Sequence, residues 1–154
     1  MTGTSCASHA SLNEGTVTTM EKTTTKRRIL VIDKDDEVRS ALCDQLSNLG
    51  FEVAAEGDGV SGLFRMANDW ETAPFRGLFV ELQLEILGGM AVLQEMGERF
   101  PSVPVIVMSD SGHIGKLRRA IQLGAKEYLV KPFDRELVRR KCLSVFLSRN
   151  DLSS

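Results

Sequence analysis

The chain has 154 residues, of which 42% are hydrophobic and 26% charged, and its formal net charge at pH 7 is -2. This composition is typical of a globular protein that buries a core, and it excludes disorder throughout the chain. No apolar run approaches the roughly 18 residues needed to cross a bilayer, and the amino terminus lacks the apolar core of a signal peptide. We therefore expect a cytoplasmic protein whose overall charge does not favour nucleic acid.

Cysteine and histidine give no sign of a metal site. The three cysteines, Cys6, Cys43 and Cys142, are odd in number and lack the close pairing of metal-binding motifs. Neither a disulfide framework nor a zinc site is predicted from them. His9 and His113 are too far apart in the sequence to suggest a catalytic or metal-binding pair, so we interpret both as incidental.

Composition divides the chain into a tail and one domain. The first 26 residues are rich in Thr, Ser and Gly and form no apolar face, so residues 1–26 are predicted to be disordered. Met20 is an alternative start of translation, and the sequence does not distinguish it from Met1. One folded domain is predicted over residues 27–148, followed by a short carboxyl-terminal tail over residues 149–154.

Short apolar runs alternate with helical patterns along the predicted domain. The run Ile29–Ile32 is continuous, as expected for a strand covered on both faces, and it ends abruptly at Asp33. Apolar residues at helical spacing follow from Val38 to Leu49, and Gly50 ends that helix. The sequence therefore begins with a strand followed by a helix.

Four further pairs of strand and helix follow. The predicted strands cover residues 51–55, 78–80, 103–108 and 128–130, and the helices that follow them have their apolar positions within 60–67, 91–100, 117–123 and 137–145. In the second helix, Val60, Leu63, Phe64 and Ala67 mark one face. Five such units in strict alternation predict an α/β fold with a parallel sheet, helices on both faces and right-handed crossovers.

Charged and hydroxyl side chains follow the predicted strands. In open parallel sheets, ligands bind at the carboxyl ends of the strands. The residues found there are Asp33, Lys34, Asp35, Glu81, Ser109, Asp110 and Lys131. Helix capping accounts for Asp35, Asp36 and Asp134. It does not account for the joint placement of two other acids, a serine and a lysine at successive strand ends.

At these positions the chain resembles the receiver domain of two-component response regulators, over residues 28–147. The resemblance is carried by Ile29-Leu30-Val31-Ile32-Asp33, by Leu78-Phe79-Val80-Glu81 with Gly89 eight residues on, by Pro104-Val105-Ile106-Val107-Met108-Ser109, and by Gly124-Ala125 before Tyr128-Leu129-Val130-Lys131-Pro132-Phe133. It implies a flavodoxin-like (βα)5 fold, a doubly wound parallel sheet with strand order 2-1-3-4-5. It also implies a cis peptide bond before Pro132.

The resemblance implies a phosphorylation site that is altered in this chain. Members of the family hold Mg²⁺ between an acidic pair after the first strand and a phosphoacceptor aspartate at the end of the third. Asp33 matches the first acid of the pair, but Lys34 replaces the second. Glu81 replaces the acceptor, whereas Ser109 and Lys131 match the family's hydroxyl and lysine. The chain is therefore expected to be an atypical receiver, or pseudo-receiver, with a degenerate acceptor site.

Charge balance links these departures. The usual pocket balances three carboxylates with one lysine and a divalent ion, whereas the charges of Asp33, Lys34, Glu81 and Lys131 balance without a metal. We expect the Lys34 ammonium to take the place of the ion and to repel Mg²⁺, so metal binding should be weak or absent and no cofactor is predicted. Asp110 would make the pocket negative, so we expect it to point outward.

Glu81 is one methylene longer than aspartate, which favours imitation of the phosphorylated state. In the family, the phosphoryl group draws the hydroxyl after the fourth strand inward, and an aromatic residue on the fifth strand follows; Ser109 and Tyr128 match these. We hypothesise that Glu81, hydrogen-bonded by Ser109 or paired with Lys131 and Lys34, fixes one conformer of the face formed by the fourth helix, fifth strand and fifth helix. A degenerate site without a fixed state is the alternative.

These observations predict a binding module and not an enzyme: a stand-alone receiver that signals through protein contacts without conventional aspartyl phosphorylation. The partner, a histidine kinase or another regulator, would bind the face just described. Cations concentrate on its two helices, although a solvated helix face is the simpler interpretation of them: Lys116, Arg118, Arg119, Arg135, Arg139, Arg140 and Lys141. A homodimer is left open, and neither nucleic acid nor membrane is expected to bind.

Two other functions remain as alternatives. The first is a phosphorelay receiver that still accepts phosphate from a histidine kinase. The second is a small-molecule or nucleotide sensor that uses the same edge of the sheet, although no glycine-rich phosphate loop follows the first strand.

Overall fold

The computed structural model describes residues 26–146. The predicted tails therefore lie outside the described residues, apart from Lys26. Within this range the elements are β1 (Arg28–Ile32), α1 (Asp36–Asn48), β2 (Glu52–Glu56), α2 (Gly59–Asn68), β3 (Gly77–Glu81), α3 (Gly89–Arg99), β4 (Val105–Asp110), a 3-10 turn (Ser111–His113), α4 (Ile114–Gln122), β5 (Glu127–Lys131) and α5 (Arg135–Val145). In this part of the chain, no helix combines the length and the apolar character that spanning a membrane requires.

The five strands form one parallel sheet in the order β2-β1-β3-β4-β5, which confirms the predicted fold. Successive residues of β1 point to opposite faces, so Leu30 and Ile32 enter one core layer while Ile29 and Val31 enter the other. The first layer is covered by α2, α3 and α4, and the second by α1 and α5. This double coverage explains why the strand sequences are continuously apolar.

The fourth strand begins and ends later than predicted. It starts at Val105 and not at residue 103, because Pro104 has no N–H to donate to a neighbouring strand. At its other end, Ser109 and Asp110 continue the pairing with β5, opposite Val130 and Lys131. The extension holds Ser109 in a fixed register beside the residues that end β5.

Aspartates cap the helices that follow the site loops. Asp35 accepts from the N–H groups of Glu37 and Val38 at the start of α1, and Asp134 accepts from Leu137 N–H at the start of α5. The bonds from Val38 and then Glu37 lower the pKa of Asp35. Both predicted caps are confirmed. Asp36 is not a cap, because it is the first residue of α1.

The predicted apolar face of α2 is wrong at two positions. Leu63 is buried, but Val60 is 57% exposed and Phe64 is 70% exposed. The helix turns Gly59 and Gly62 toward the core, where a Cβ on Gly62 would collide with the side chain of Ile32. Because the two glycines let the helix backbone approach the sheet closely, the positions that flank them face outward.

Candidate functional site

Three charged side chains meet at the carboxyl end of the sheet. Asp33 follows β1 and is fully buried, Glu81 ends β3 and is 5% exposed, and Lys131 ends β5. The Lys131 Nζ lies 2.8 Å from Oδ2 of Asp33 and 2.7 Å from Oε1 of Glu81. Because β4 separates β5 from β3, the long lysine stem spans a strand to make these contacts. We call these three residues the rim triad.

The remaining carboxylate oxygens accept hydrogen bonds from the loop after β1. The backbone N–H of Lys34 donates to Oε2 of Glu81 at 3.1 Å, and that of Asp35 donates to Oδ1 of Asp33 at 2.9 Å. Each carboxylate therefore has one oxygen beside the ammonium and the other on a backbone N–H. Such contacts offset the large cost of burying a charged group.

Burial and pairing act in opposite directions on the rim triad. Burial disfavours the charged form of Lys131, but its ion pairs with Asp33 and Glu81 outweigh burial and raise the pKa of Lys131. Burial raises the pKa of Asp33, and the ion pair with Lys131 and the hydrogen bond from the Asp35 N–H offset this only in part. The Lys131 ammonium is therefore charged at neutral pH, and it is what supports the ionised form of Asp33.

The Lys34 ammonium does not enter the pocket. Its side chain is exposed and forms no ion pair with another described residue, and its backbone N–H alone contacts Glu81. The predicted replacement of a metal ion by Lys34 is therefore wrong. The positive charge between the carboxylates belongs to Lys131, and burying a second ammonium there would carry a further desolvation cost.

Ser109 is buried at the same edge, but its hydroxyl does not reach Glu81. Its Oγ is 3.3 Å from both Oε1 of Gln83 and the carbonyl oxygen of Asp110, either of which accepts its proton. Of the two arrangements predicted for Glu81, the bond from Ser109 is therefore absent, and the pairing is present with Lys131 but not with the Lys34 ammonium. Gln83 is a site residue that the sequence analysis missed; its position two residues beyond Glu81, at the same sheet edge, was the signal.

Tyr128 and Pro132 are the two remaining residues about which the resemblance to receiver domains made a prediction. Tyr128 on β5 is 41% exposed, and the Lys141 Nζ lies 5.0 Å from the centre of its ring. The peptide bond between Lys131 and Pro132 is cis, as the resemblance implied. Lys131 contacts Glu81, and Tyr128 is exposed on the α4–β5–α5 face. These two residues thus lie three positions apart on β5.

Asp110 points outward, as predicted, and forms a pair with His113. Its Oδ1 lies 2.6 Å from Nδ1 of His113 and accepts from the Gly112 N–H at 3.2 Å. The bond to His113 lowers the pKa of Asp110. His113 is therefore not incidental, because it joins the end of β4 to the start of α4.

The sheet order and the charged carboxyl edge define a flavodoxin-like α/β domain of the receiver type. A family model described as the response regulator receiver domain matches residues 29–142. The chain belongs to that family.

The curated relatives are response regulators that are longer than this chain. The transcriptional regulatory protein QseB of Haemophilus influenzae is 32% identical over 106 residues, which are 69% of this chain and 46% of that protein. An NtrX-like response regulator of Rickettsia bellii is 27% identical over 128 residues, which are 80% of this chain and 26% of that protein. The chain therefore spans less than half the length of these relatives.

Solved structures support the same conclusion. The receiver domain of NtrX from Brucella abortus is 30% identical and superposes with a TM-score of 0.68, over 75% of this chain and 95% of that one. A receiver domain protein from Clostridium thermocellum has a TM-score of 0.69 at 23% identity, over 83% of this chain and 99% of that one. The second likeness supports the fold alone.

The side chains at this edge do not fit the Mg²⁺ ion of the family. Mg²⁺ requires oxygen ligands in near-octahedral geometry. The oxygens of Asp33 and Glu81 already face Lys131 and backbone N–H groups, and the position of the second acid is an exposed Lys34. Between residues 26 and 146, no three His, Cys, Asp or Glu side chains form a group that could hold a metal.

Proposed function

We propose that this receiver domain is a binding module that signals through protein contacts without conventional aspartyl phosphorylation. The observation that carries the proposal is the state of Glu81, which occupies the acceptor position. One of its oxygens pairs with Lys131 and the other accepts from the Lys34 N–H. Because both oxygens are held by donors and the charge is compensated, Glu81 is a poor nucleophile and serves as a fixed anion.

The fixed anion connects the acceptor strand to the face used for binding. Glu81 ends β3, and Lys131 ends β5 immediately before the loop to α5. Their ion pair therefore limits how far the end of β5 can move relative to β3. Tyr128 lies on the same strand, so in this proposal the pair holds the α4–β5–α5 face in one conformer.

That face suits an acidic protein partner. Receiver domains interact with histidine kinases or with other proteins, and opposite charge favours their encounter. On α5, Arg139 is paired with Glu136, but on α4 the side chains of Lys116, Arg118 and Arg119 are exposed and form no ion pair with another described residue. These cations on α4, together with the exposed Arg135 on α5, are therefore available to a partner.

The role of Glu81 is tested by comparing Glu81→Gln with wild-type protein by NMR. The substitution keeps the shape of the side chain but removes the charge that pairs with Lys131. We expect amide resonances of Tyr128 and its neighbours on β5 and α4 to shift. Glu85→Gln is the matched control, because Glu85 is an exposed acid in the same loop region. Unchanged resonances on this face in Glu81→Gln would remove the proposed coupling.

A phosphorelay function is the second candidate, favoured by the family membership and by the relatives' being response regulators. It is tested by incubating the protein with Mg²⁺ and acetyl phosphate and measuring the intact mass. We expect no acid-labile phosphoryl adduct on wild-type protein and no saturable Mg²⁺ binding in calorimetry. The double variant Lys34→Asp/Glu81→Asp, which restores the family's residues, is the positive comparison. An adduct on the wild-type chain would favour phosphorelay.

A further inference from the structure

Three large apolar side chains are exposed on α2 and on the loop that lies against its start. Val60, Phe64 and Ile86 are 57%, 70% and 100% exposed. Val60 and Phe64 are one turn apart on α2 and therefore share a side of the helix. A Cβ on Gly59 would contact the carbonyl oxygen of Leu87, so the loop that carries Ile86 lies against the start of α2. We call Val60, Phe64 and Ile86 the α2 patch.

Ile86 has an unfavourable backbone conformation, and its apolar side chain is unfavourably exposed to water. Its φ of 66° lies in the left-handed region, which β-branched residues strongly avoid. Glycine or asparagine would adopt this conformation at lower cost and would not expose an apolar side chain to water. Since neither stability nor solubility explains an isoleucine here, Ile86 is a candidate for contact with a partner.

A concave apolar surface lies elsewhere on the domain, between α4 and β5. This α4–β5 groove is a cavity of about 690 Å³ whose lining includes Ile114, Ile121, Tyr128 and Val130. Ile114 is 62% exposed, and Ile121 and Tyr128 are each 41% exposed. The α2 patch offers exposed apolar side chains and the groove offers an apolar hollow, so a side chain of the patch could enter the groove.

The two surfaces also differ in charge. Asp58 and Glu85 are exposed next to members of the patch, while Arg118 lines the groove and Arg119 is exposed on the same helix. Complementary charge favours contact between the patch of one molecule and the groove of another.

We propose that a second copy of this chain is the occupant of the groove: Phe64 of one copy inserts between α4 and β5 of the next. The proposal rests on the proposed function in one respect, since it assigns a partner to the α4–β5–α5 face. Two different surfaces meet, so the contact is heterologous. Copies therefore associate head to tail, in chains that extend beyond a dimer or close into a ring.

The test is sedimentation velocity of the full chain, with one variant for each surface. Phe64→Asp disables the patch and Ile114→Asp disables the groove; both residues are exposed, so the fold tolerates either change. Wild-type protein is expected to increase in mass with concentration, and less so at high salt. Each variant alone should have its dissociation constant raised by about tenfold or more, and should be monomeric at concentrations where wild type associates. Thr72→Asp, exposed on a distant loop, is the control and should associate as wild type.

Mixing the two variants separates this contact from a symmetric one. Phe64→Asp retains its groove and Ile114→Asp retains its patch, so an equimolar mixture should form a dimer and nothing larger. A wild-type chain that stays monomeric at every concentration would overturn the proposal. Association of Phe64→Asp alone, or no dimer in the mixture, would overturn it as well, because either result requires another surface.

Ile86 gives an independent measurement. Ile86→Asn removes an apolar contact and suits the left-handed backbone, so it should raise the melting temperature of the monomer while weakening association. If Ile86→Asn associates more weakly without a lower melting temperature, unfolding is excluded as the cause. Unchanged association would show that Ile86 is not part of the contact. The NMR comparison at Glu81 is made in the monomeric Phe64→Asp background, so failure of self-association does not decide the role of Glu81.

Discussion

Two clusters of one cation and two carboxylates lie at opposite edges of the sheet. At the carboxyl edge is the rim triad. At the amino edge, Arg28 lies 3.3 Å from Glu52 and 3.2 Å from Asp69, and we call these three the amino-edge cluster. The side chains of both cations are 16% exposed. The carboxylates differ, because those of the rim triad are 0% and 6% exposed whereas Glu52 and Asp69 are 44% and 19% exposed.

Both clusters contain one cation and two carboxylates, but the rim triad depends on its cation more than the amino-edge cluster does. Water can solvate Glu52 and Asp69 if Arg28 is removed, but it has almost no access to the carboxylates of the rim triad. Arg28 also contributes by packing, since its guanidinium lies 4.2 Å from the centre of the Phe75 ring. Arg28 in the amino-edge cluster pairs with partly solvated carboxylates and packs on an aromatic ring, whereas Lys131 in the rim triad neutralises buried charge.

Of all these substitutions, replacing Lys131 should lower the free energy of unfolding most. Lys131→Met keeps the apolar stem but leaves two buried carboxylates without a cation, so we expect the free energy of unfolding to fall by about 3–5 kcal/mol. Urea unfolding at neutral pH measures the change. Lys126→Met, at an exposed lysine just before β5, is the control and should have little effect. A loss below about 1 kcal/mol would mean that the carboxylates find other compensation.

On the alkaline side, the stabilisation by Lys131 should depend on pH only where Lys131 itself loses its proton. Pairing raises the pKa of Lys131 above its ordinary value of 10.5, so the ammonium is favoured in the folded state. Its contribution is complete below the unfolded pKa and is lost as pH rises through the higher folded pKa. From about pH 8 upward, the difference in unfolding free energy between wild type and Lys131→Met should be constant to about pH 10 and then decline. A decline beginning near neutral pH would contradict the raised pKa.

Replacing Arg28 should cost less. Arg28→Met removes two ion pairs with partly solvated carboxylates and the contact with the Phe75 ring, so we expect a loss of about 1–2 kcal/mol. Arg76→Met, at an exposed arginine on the same edge, is the control. The same urea unfolding experiment compares all of these variants. A loss equal to that of Lys131→Met would show that depth of burial does not separate the two clusters.

Much of the site could be predicted because parallel strands end at a common edge. The continuous apolar runs located the strands, and the polar residues after them had to meet at that edge. This reasoning brought Asp33, Glu81 and Lys131 together, as the structure does. It did not show which of two lysines supplies the charge between the carboxylates, because that depends on how the loop after β1 turns its backbone N–H groups toward them.

The apolar pattern of α2 led to a wrong prediction, because here too the outcome depends on how the backbone is placed. Helical spacing grouped Val60 and Phe64 with Leu63, but spacing does not show which side of a helix approaches the sheet. Gly59 and Gly62 decide this, because they alone permit the close approach to β1 and α3 that the fold contains. The exposed residues that result are the ones from which a partner surface is proposed.

Lys34 should show the smallest effect and gives the sharpest contrast with Lys131. Its side chain is exposed and its contact with Glu81 is made by the backbone, which any residue except proline provides. Lys34→Ala should therefore change the free energy of unfolding by no more than about 0.5 kcal/mol, as expected for Lys116→Ala on the exposed face of α4. A loss in Lys34→Ala close to that of Lys131→Met would mean that the Lys34 ammonium does enter the pocket. Two lysines would then share the charge of Asp33 and Glu81, and the charge balance inferred from the sequence would hold in its original form.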